Sequence, residues 1–160
     1  KGFDFIFDIL KQINLPFTLN IYGKDNTPYV QTIKSKIEPA LSEKIKWHGF
    51  TEDRIQIFKS LDFVLYPSLS ESFGRIVIEA AVFKVPVIAS NLPCFDDNII
   101  HNKTGLIFNL DNKIELKQYI VELILNSKLR EELGNNARTF VLANFTSEKC
   151  TEKFKNIIYE

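Results

Sequence analysis

Methionine is missing from all 160 residues, cysteine occurs only twice, and the formal net charge is zero. Cys94 and Cys150 are too few for a disulfide framework or a cysteine metal cluster, which fits a reducing compartment. The 20 basic and 20 acidic residues are dispersed, so no electrostatic case for nucleic acid arises. No apolar run approaches the roughly 18 residues that a membrane helix needs, and no signal peptide precedes the first helical pattern. Neither an Asp-x-Asp motif nor a His/Cys cluster suggests a metal. These absences describe a cytoplasmic chain without a transmembrane segment, a nucleic-acid partner or a metal. The missing methionine, position 1 included, and the opening on Lys1-Gly2 directly before a helical pattern point to a piece of a longer protein.

What is present is enough for one domain. At 45% hydrophobic residues the chain can bury a sizeable core. Phe3, Ile6, Leu10 and Ile13 recur at helical spacing. Phe17 to Tyr22 then alternates like a strand and meets Gly23. Pro28 can open a helix carrying Val30, Ile33, Ile37 and Leu41. Lys44 to His48 reads as a short strand ending at Gly49. Thr51 is a good N-cap for a helix that would bury Ile55, Ile57, Phe58 and Leu61, with Arg54 near its start. Leu61 to Tyr66 is an apolar run stopped by Pro67, which fits a buried parallel strand better than a half-exposed one. A helix from Gly74 to Lys84 leads to the strand Val85 to Ser90. Thr104 to Phe108 reads as the last strand, before helices from Lys113 to Leu125, Ser127 to Ala143 and Ser147 to Tyr159.

Strands alternating with helices predict an α/β fold, a Rossmann-like doubly wound parallel sheet with ligands at the carboxyl ends of its strands. A helix-first opening leaves this sheet short of one strand, expected before Lys1.

The segment Pro67-Ser68-Leu69-Ser70-Glu71-Ser72-Phe73-Gly74 through Glu79-Ala80 carries the chemistry. A helix starting near Gly74 leaves its first backbone N–H groups unpaired and partly positive, and glycine lets an anion come close. Glu71 lies in the turn and Glu79 inside the helix, roughly 7 Å along the axis from the helix start at 1.5 Å per residue. That disfavours a glycosidase pair, whose carboxyls face each other about 5 to 9 Å apart across one bond. It favours two separate hydroxyl-binding carboxylates with a diphosphate between them. As an isolated pattern it also fits an ordinary turn acid and an exposed helix residue.

In this order, Lys1-Gly2, Ile21-Tyr22-Gly23, Trp47-His48-Gly49-Phe50, Pro67-Ser68, Glu71-Ser72-Phe73-Gly74 through Glu79-Ala80, Pro86-Val87-Ile88-Ala89-Ser90 and Thr104-Gly105-Leu106-Ile107 resemble the C-terminal half of family 4 retaining glycosyltransferases of the GT-B fold. The resemblance covers nearly the whole chain. It implies that residues 1–160 form a single donor-binding domain, the acceptor-binding domain and the first strand lying upstream. It implies metal-independent, retaining transfer of a hexosyl group from a UDP-sugar or GDP-sugar, without a cofactor, to a saccharide or lipid-linked acceptor held by the N-terminal domain. Polysaccharide assembly, in the cytoplasm or peripherally at the inner face of the membrane, is a common setting.

By that resemblance Lys1 and Glu71 are catalytic: Lys1 binds the diphosphate, with an arginine partner upstream, and Glu71 meets the donor sugar. Gly23, Gly49, Phe50, Ser70, Ser72, Phe73, Gly74 and Glu79 bind the donor, with Glu79 on the ribose, Phe50 either offering a face to the base or packing in the core, and Phe73 acting through its backbone while its ring packs in the core. Asp25 stands where the family often has a second glycine, and Lys84 where one precedes the Pro-Val-Ile strand. Asp96 and Asp97 are available for a glutamate common after that strand, Asp97 being better placed, with no role assigned. His48 and His101 read as structural or exposed rather than as general bases. A dehydrogenase half would need a Gly-x-Gly-x-x-Gly turn that Gly23-Lys24-Asp25 does not supply. A receiver domain would need acids where Tyr66-Pro67-Ser68 stands. The serious alternative is a non-catalytic interaction module that keeps the fold.

Overall fold

The computed structural model describes residues 2–151. Among them the alternation expected from the sequence is present. Helix α1 (Phe3–Leu10) leads to strand β1 (Leu19–Ile21), then α2 (Pro28–Lys36), α3 (Pro39–Ser42) and β2 (Ile45–Trp47). Helix α4 (Arg54–Lys59), strand β3 (Val64–Tyr66), α5 (Arg75–Val82) and β4 (Val87–Ser90) follow. Strand β5 (Leu106–Phe108) and helices α6 (Lys113–Leu125) and α7 (Ser127–Asn144) complete the order. Residues 147–151 are helical; the rest of the helix expected to reach Tyr159, like Lys1, lies outside the described residues.

All strand pairs are parallel. They form two ladders, β1-β2 and β3-β4-β5. Strands β1 and β3 both line a cavity of about 940 Å³, walled by Leu19, Ile21, Val64, Tyr66, Phe3 and Ile57 among others. Strand β3, expected to be buried, is therefore only half-buried along its length. Gly2 lies against the Pro67 carbonyl, at the carboxyl end of this slot.

Strand β4 is buried throughout, and its side chains alternate between two cores. Ile88 joins Ile9, Leu10, Phe108, Leu116 and Leu123 under α1 and α6. Val87 and Ala89 join Ile57, Phe58, Val77, Ala80 and Phe95 under α4 and α5. Burial on both faces is what a parallel strand needs, and it explains why β4 reads as a continuous apolar run.

Three local expectations need correction. The helix expected from Pro28 through Leu41 breaks at Ile37 and Glu38, which are extended (ψ 128° and 141°), because the residue before Pro39 is driven out of the helical region. The N-cap of α4 is Asp53, whose Oδ1 accepts the Gln56 N–H at 2.9 Å, whereas the Thr51 hydroxyl accepts the Asp53 N–H at 3.2 Å and so shapes the turn before the cap. Ile55, expected to be buried, is 55% exposed: α4 buries only Ile57 and Phe58, and Leu61 beyond it is half-buried.

Lys84, standing where glycine was expected, takes the left-handed conformation itself, at φ 60°. The Val85 N–H reaches the Ala80 carbonyl at 3.0 Å and the Lys84 N–H the Ala81 carbonyl at 3.0 Å, the paired bonds of a Schellman closure of α5. The local cost is about 1 to 2 kcal/mol, offset by satisfying two carbonyls of the last turn.

Candidate functional site

The site lies where β3 gives way to α5, and buried hydroxyls fix the connection. Ser90, at the end of β4, donates from Oγ to the Ser68 carbonyl at 2.6 Å, and Ser68 donates from Oγ to the Ser70 carbonyl at 2.9 Å. Both serines are almost fully buried, so two core hydrogen bonds hold the backbone that carries Ser70 and Glu71. Ser70 itself is exposed.

Glu71 is half-buried and held from two sides. The Tyr66 hydroxyl, at the end of β3, donates to its Oε2, and the Ser72 N–H donates to Oε1 at 3.0 Å. Burial first, and then the Glu71 carboxylate, hold the Tyr66 phenol well above its ordinary range. Tyr66 therefore keeps its proton, and its role as donor, around neutral pH.

Gly74 is the N-cap of α5, left-handed at φ 74° and ψ 46°. It is buried, with the Phe95 ring against the place a side chain would take. Phe73 is 46% exposed, so its ring is not core; it leans edge-on against Phe145 at 6.3 Å. Its carbonyl is pinned by Asn98, whose Nδ2 also reaches the Cys94 carbonyl at 3.1 Å. Asn98 was not singled out from the sequence: Asp96 and Asp97, which were, are exposed, and Asn98 beside them is the buried residue that reaches this loop.

Glu79, half-buried on α5, faces Arg54 at the start of α4, with Nε 3.2 Å from Oε2. The pair is close but not aligned as a hydrogen bond, so the buried Oε2 keeps an unmet acceptor. Exposure of both side chains limits the pair to about 1 kcal/mol or less, and orientation is its main effect. The sequence did carry a signal for it. An arginine in the first turn of a helix opposes the helix dipole, so it has reason to find a carboxylate elsewhere.

The glycine loops form the other side. Gly23 donates its N–H to the Gly49 carbonyl at 2.8 Å, which ties the two loops together. Asp25, in place of a second glycine, pairs with Lys34 at 3.4 Å. Phe50 is 63% exposed rather than core, and with Gly23, Thr51, Arg54 and Tyr66 it lines the cavity between the two ladders. Ser70, Glu71, Ser72, Phe73, Gly74 and Glu79 do not line it. Two residues connect the halves: Arg54 lines the cavity and reaches Glu79, and Tyr66 lines it and holds Glu71.

Both histidines have structural partners. His48 stacks on Tyr22 at 4.5 Å, with Nε2 2.8 Å from Asn20 Oδ1. His101 accepts the Ile107 N–H on Nδ1 at 2.9 Å. Among the described residues no group of three His, Cys, Asp or Glu side chains comes together, and no helix is long and apolar enough to cross a membrane.

Residues 1–140 match the profile of the family described as glycosyl transferases group 1. The chain belongs to that family. An uncharacterized glycosyltransferase of Methanocaldococcus jannaschii is 32% identical over the whole of this chain and 45% of its own length. A glycosyltransferase from Rickettsia africae superposes with a TM-score of 0.84 at 27% identity, over 98% of this chain and 43% of that one. Anabaena HepE, solved with UDP-glucose, superposes with a TM-score of 0.86 at 22% identity, over 99% of this chain and 45% of that one. The chain thus spans less than half of these proteins' lengths, and its fold is that of the C-terminal half of GT-B glycosyltransferases.

Proposed function

We propose that this chain is the donor-binding half of a family 4 retaining glycosyltransferase, acting on a nucleoside-diphosphate sugar. The observation that carries the reading is the pair of half-buried glutamates, each held by a partner, on either side of the left-handed Gly74 that opens α5. Glu71 meets the sugar hydroxyls, the N–H groups of Phe73 and Gly74 meet phosphate or sugar, and Glu79, oriented by Arg54 on its Oε2 side, takes the ribose. Gly23, Gly49 and Phe50 edge the nucleotide, and Ser70 and Ser72 flank the sugar. Lys1 and an upstream arginine face the diphosphate.

When the bond from the anomeric carbon to the β-phosphate oxygen breaks, the electron pair leaves with the nucleoside diphosphate. Lys1 and the start of α5 stabilise that charge without a metal or a cofactor. The sugar bonds to an acceptor hydroxyl with its configuration retained, and the hydroxyl proton leaves with the departing phosphate. The acceptor, a saccharide or a lipid-linked one, sits on the N-terminal domain. HepE binding UDP-glucose favours a uridine or similar diphosphate as carrier. A cytoplasmic setting, peripheral at the inner face of the membrane for the full-length protein, is part of the same proposal.

On this reading the 160-residue chain binds nucleotide and does not turn over. Calorimetry against uridine, guanosine and adenosine diphosphates tests it: dissociation constants below the millimolar range are expected for one of them. Absence of binding to all three would overturn the donor site and favour a non-catalytic module.

The slot between β1 and β3 belongs to the same proposal. An apolar strand upstream of Lys1, running parallel to both β1 and β3, would join the two ladders into one sheet. Extending the chain upstream by such a segment is expected to raise the urea midpoint by well over the equivalent of 3 kcal/mol, because two strand edges and an apolar wall leave water together. An unchanged midpoint would sink that placement.

A further inference from the structure

We propose that Tyr66 is a positioning residue, which orients the Glu71 carboxylate toward the donor sugar. This rests on the reading above that Glu71 meets the sugar hydroxyls. No recognised ligand-binding motif assigns a role to Tyr66, which in the sequence is only the last residue of an apolar strand.

The geometry is specific. A carboxylate on a turn is free to rotate about its side-chain bonds, and a sugar can be read only if both oxygens point the same way each time. Tyr66 Oη donates to Oε2 from one side, and the Ser72 N–H donates to Oε1 at 3.0 Å from the other. Together they fix the carboxylate plane.

The hydroxyl is fixed in turn. Tyr66 is the last residue of β3, paired in register with Ala89, and its ring packs edge-on against Phe95 at 5.5 Å. Phe95 is fully buried and also abuts Gly74. One aromatic pair in the core thus sets the carboxylate and the opening of α5 at once. The carboxylate keeps its direction before any ligand arrives, so less ordering remains to be done on binding.

Tyr66→Phe removes the hydroxyl and keeps the ring against Phe95. The test, in the intact protein, compares affinity for uridine diphosphate with affinity for uridine diphosphate glucose, with guanosine and adenosine pairs in parallel. Glu71→Gln serves as reference. The expected result is that Tyr66→Phe binds the bare diphosphate within about twofold of wild type, which also shows that it is folded. It should lose about tenfold in the additional affinity contributed by the sugar, the size of one hydrogen bond to a charged group.

If Glu71→Gln loses the sugar contribution and Tyr66→Phe does not, positioning by Tyr66 is wrong and the donor reading stands. If neither variant changes it, or if no sugar contribution exists in wild type, the reading of Glu71 fails and takes this proposal with it. Equal losses for diphosphate and sugar nucleotide in Tyr66→Phe would mean a structural role only, which also overturns it.

Discussion

Replacing Gly134 by alanine is expected to destabilise the protein by about 3 kcal/mol or more, although the position lies inside a helix. Helix propensity alone predicts the opposite sign, a gain of about 1 kcal/mol. What decides is the neighbour. Gly134 faces the end of α5, where an added Cβ would overlap the Lys84 carbonyl oxygen and come within 2.8 Å of its carbon. Backbone cannot rotate away as a side chain can. Lys84 is also the left-handed residue that closes α5, and Arg138, one turn further along α7, donates from Nη1 to the Val82 carbonyl at 2.9 Å. Helices α5 and α7 would have to separate, loosening the small-residue seam of Ala81, Ala137 and Val141 between them. A urea titration followed by circular dichroism checks it. A midpoint equal to or above wild type would show that the two helices are not in backbone contact.

Most of the fold was legible because the elements announce themselves by period and by breakers. The run Val85 to Ser90 predicts a strand, and its residues Val87–Ser90 lie at the centre of the three-stranded ladder with both faces covered. Asn112 and Asn126 cap α6 and α7 where the apolar pattern restarts, accepting N–H groups at 3.1 Å and 3.0 Å. Thr51 reads as the cap of α4 and Asp53 is the cap, because the path of the turn decides which side chain meets the first free N–H groups of the helix.

The candidate site was legible in its acids and glycines and illegible in what holds them. Glu71 and Glu79 stand out because a carboxylate near a helix start has an evident task. Tyr66 and Asn98 do not, because each acts across the fold, and Arg54, opposed to the dipole at a helix start, signals a carboxylate partner without saying which. Asn98 reaches Phe73 over 25 residues and Arg54 reaches Glu79 from the next helix over. Such pairs depend on how β3, α4 and α5 are stacked, which no local period encodes.

Replacing Gly74 by alanine is expected to cost both stability and donor binding. Two effects add. At φ 74° any residue with a Cβ pays about 1 to 2 kcal/mol, and that Cβ would overlap the Phe95 ring, coming within 3.0 Å of Cδ1. Phe95 is fully buried and braced by Tyr66, so its ring cannot swing aside. The total is expected near 3 kcal/mol or more, and on the proposed donor site nucleotide affinity should fall at least tenfold as the first turn of α5 shifts. Phe95→Leu separates the terms. Alone it should destabilise by about 1 kcal/mol, and in the Gly74→Ala background it should cost less or even restore stability, because the smaller side chain makes room for the Cβ. The left-handed cost remains in the double variant, so stability should recover only in part. Simple additivity in this cycle, read by urea unfolding and by calorimetry with uridine diphosphate, would mean that Phe95 does not press on Gly74. The core would then set neither the backbone nor the carboxylate of the donor loop.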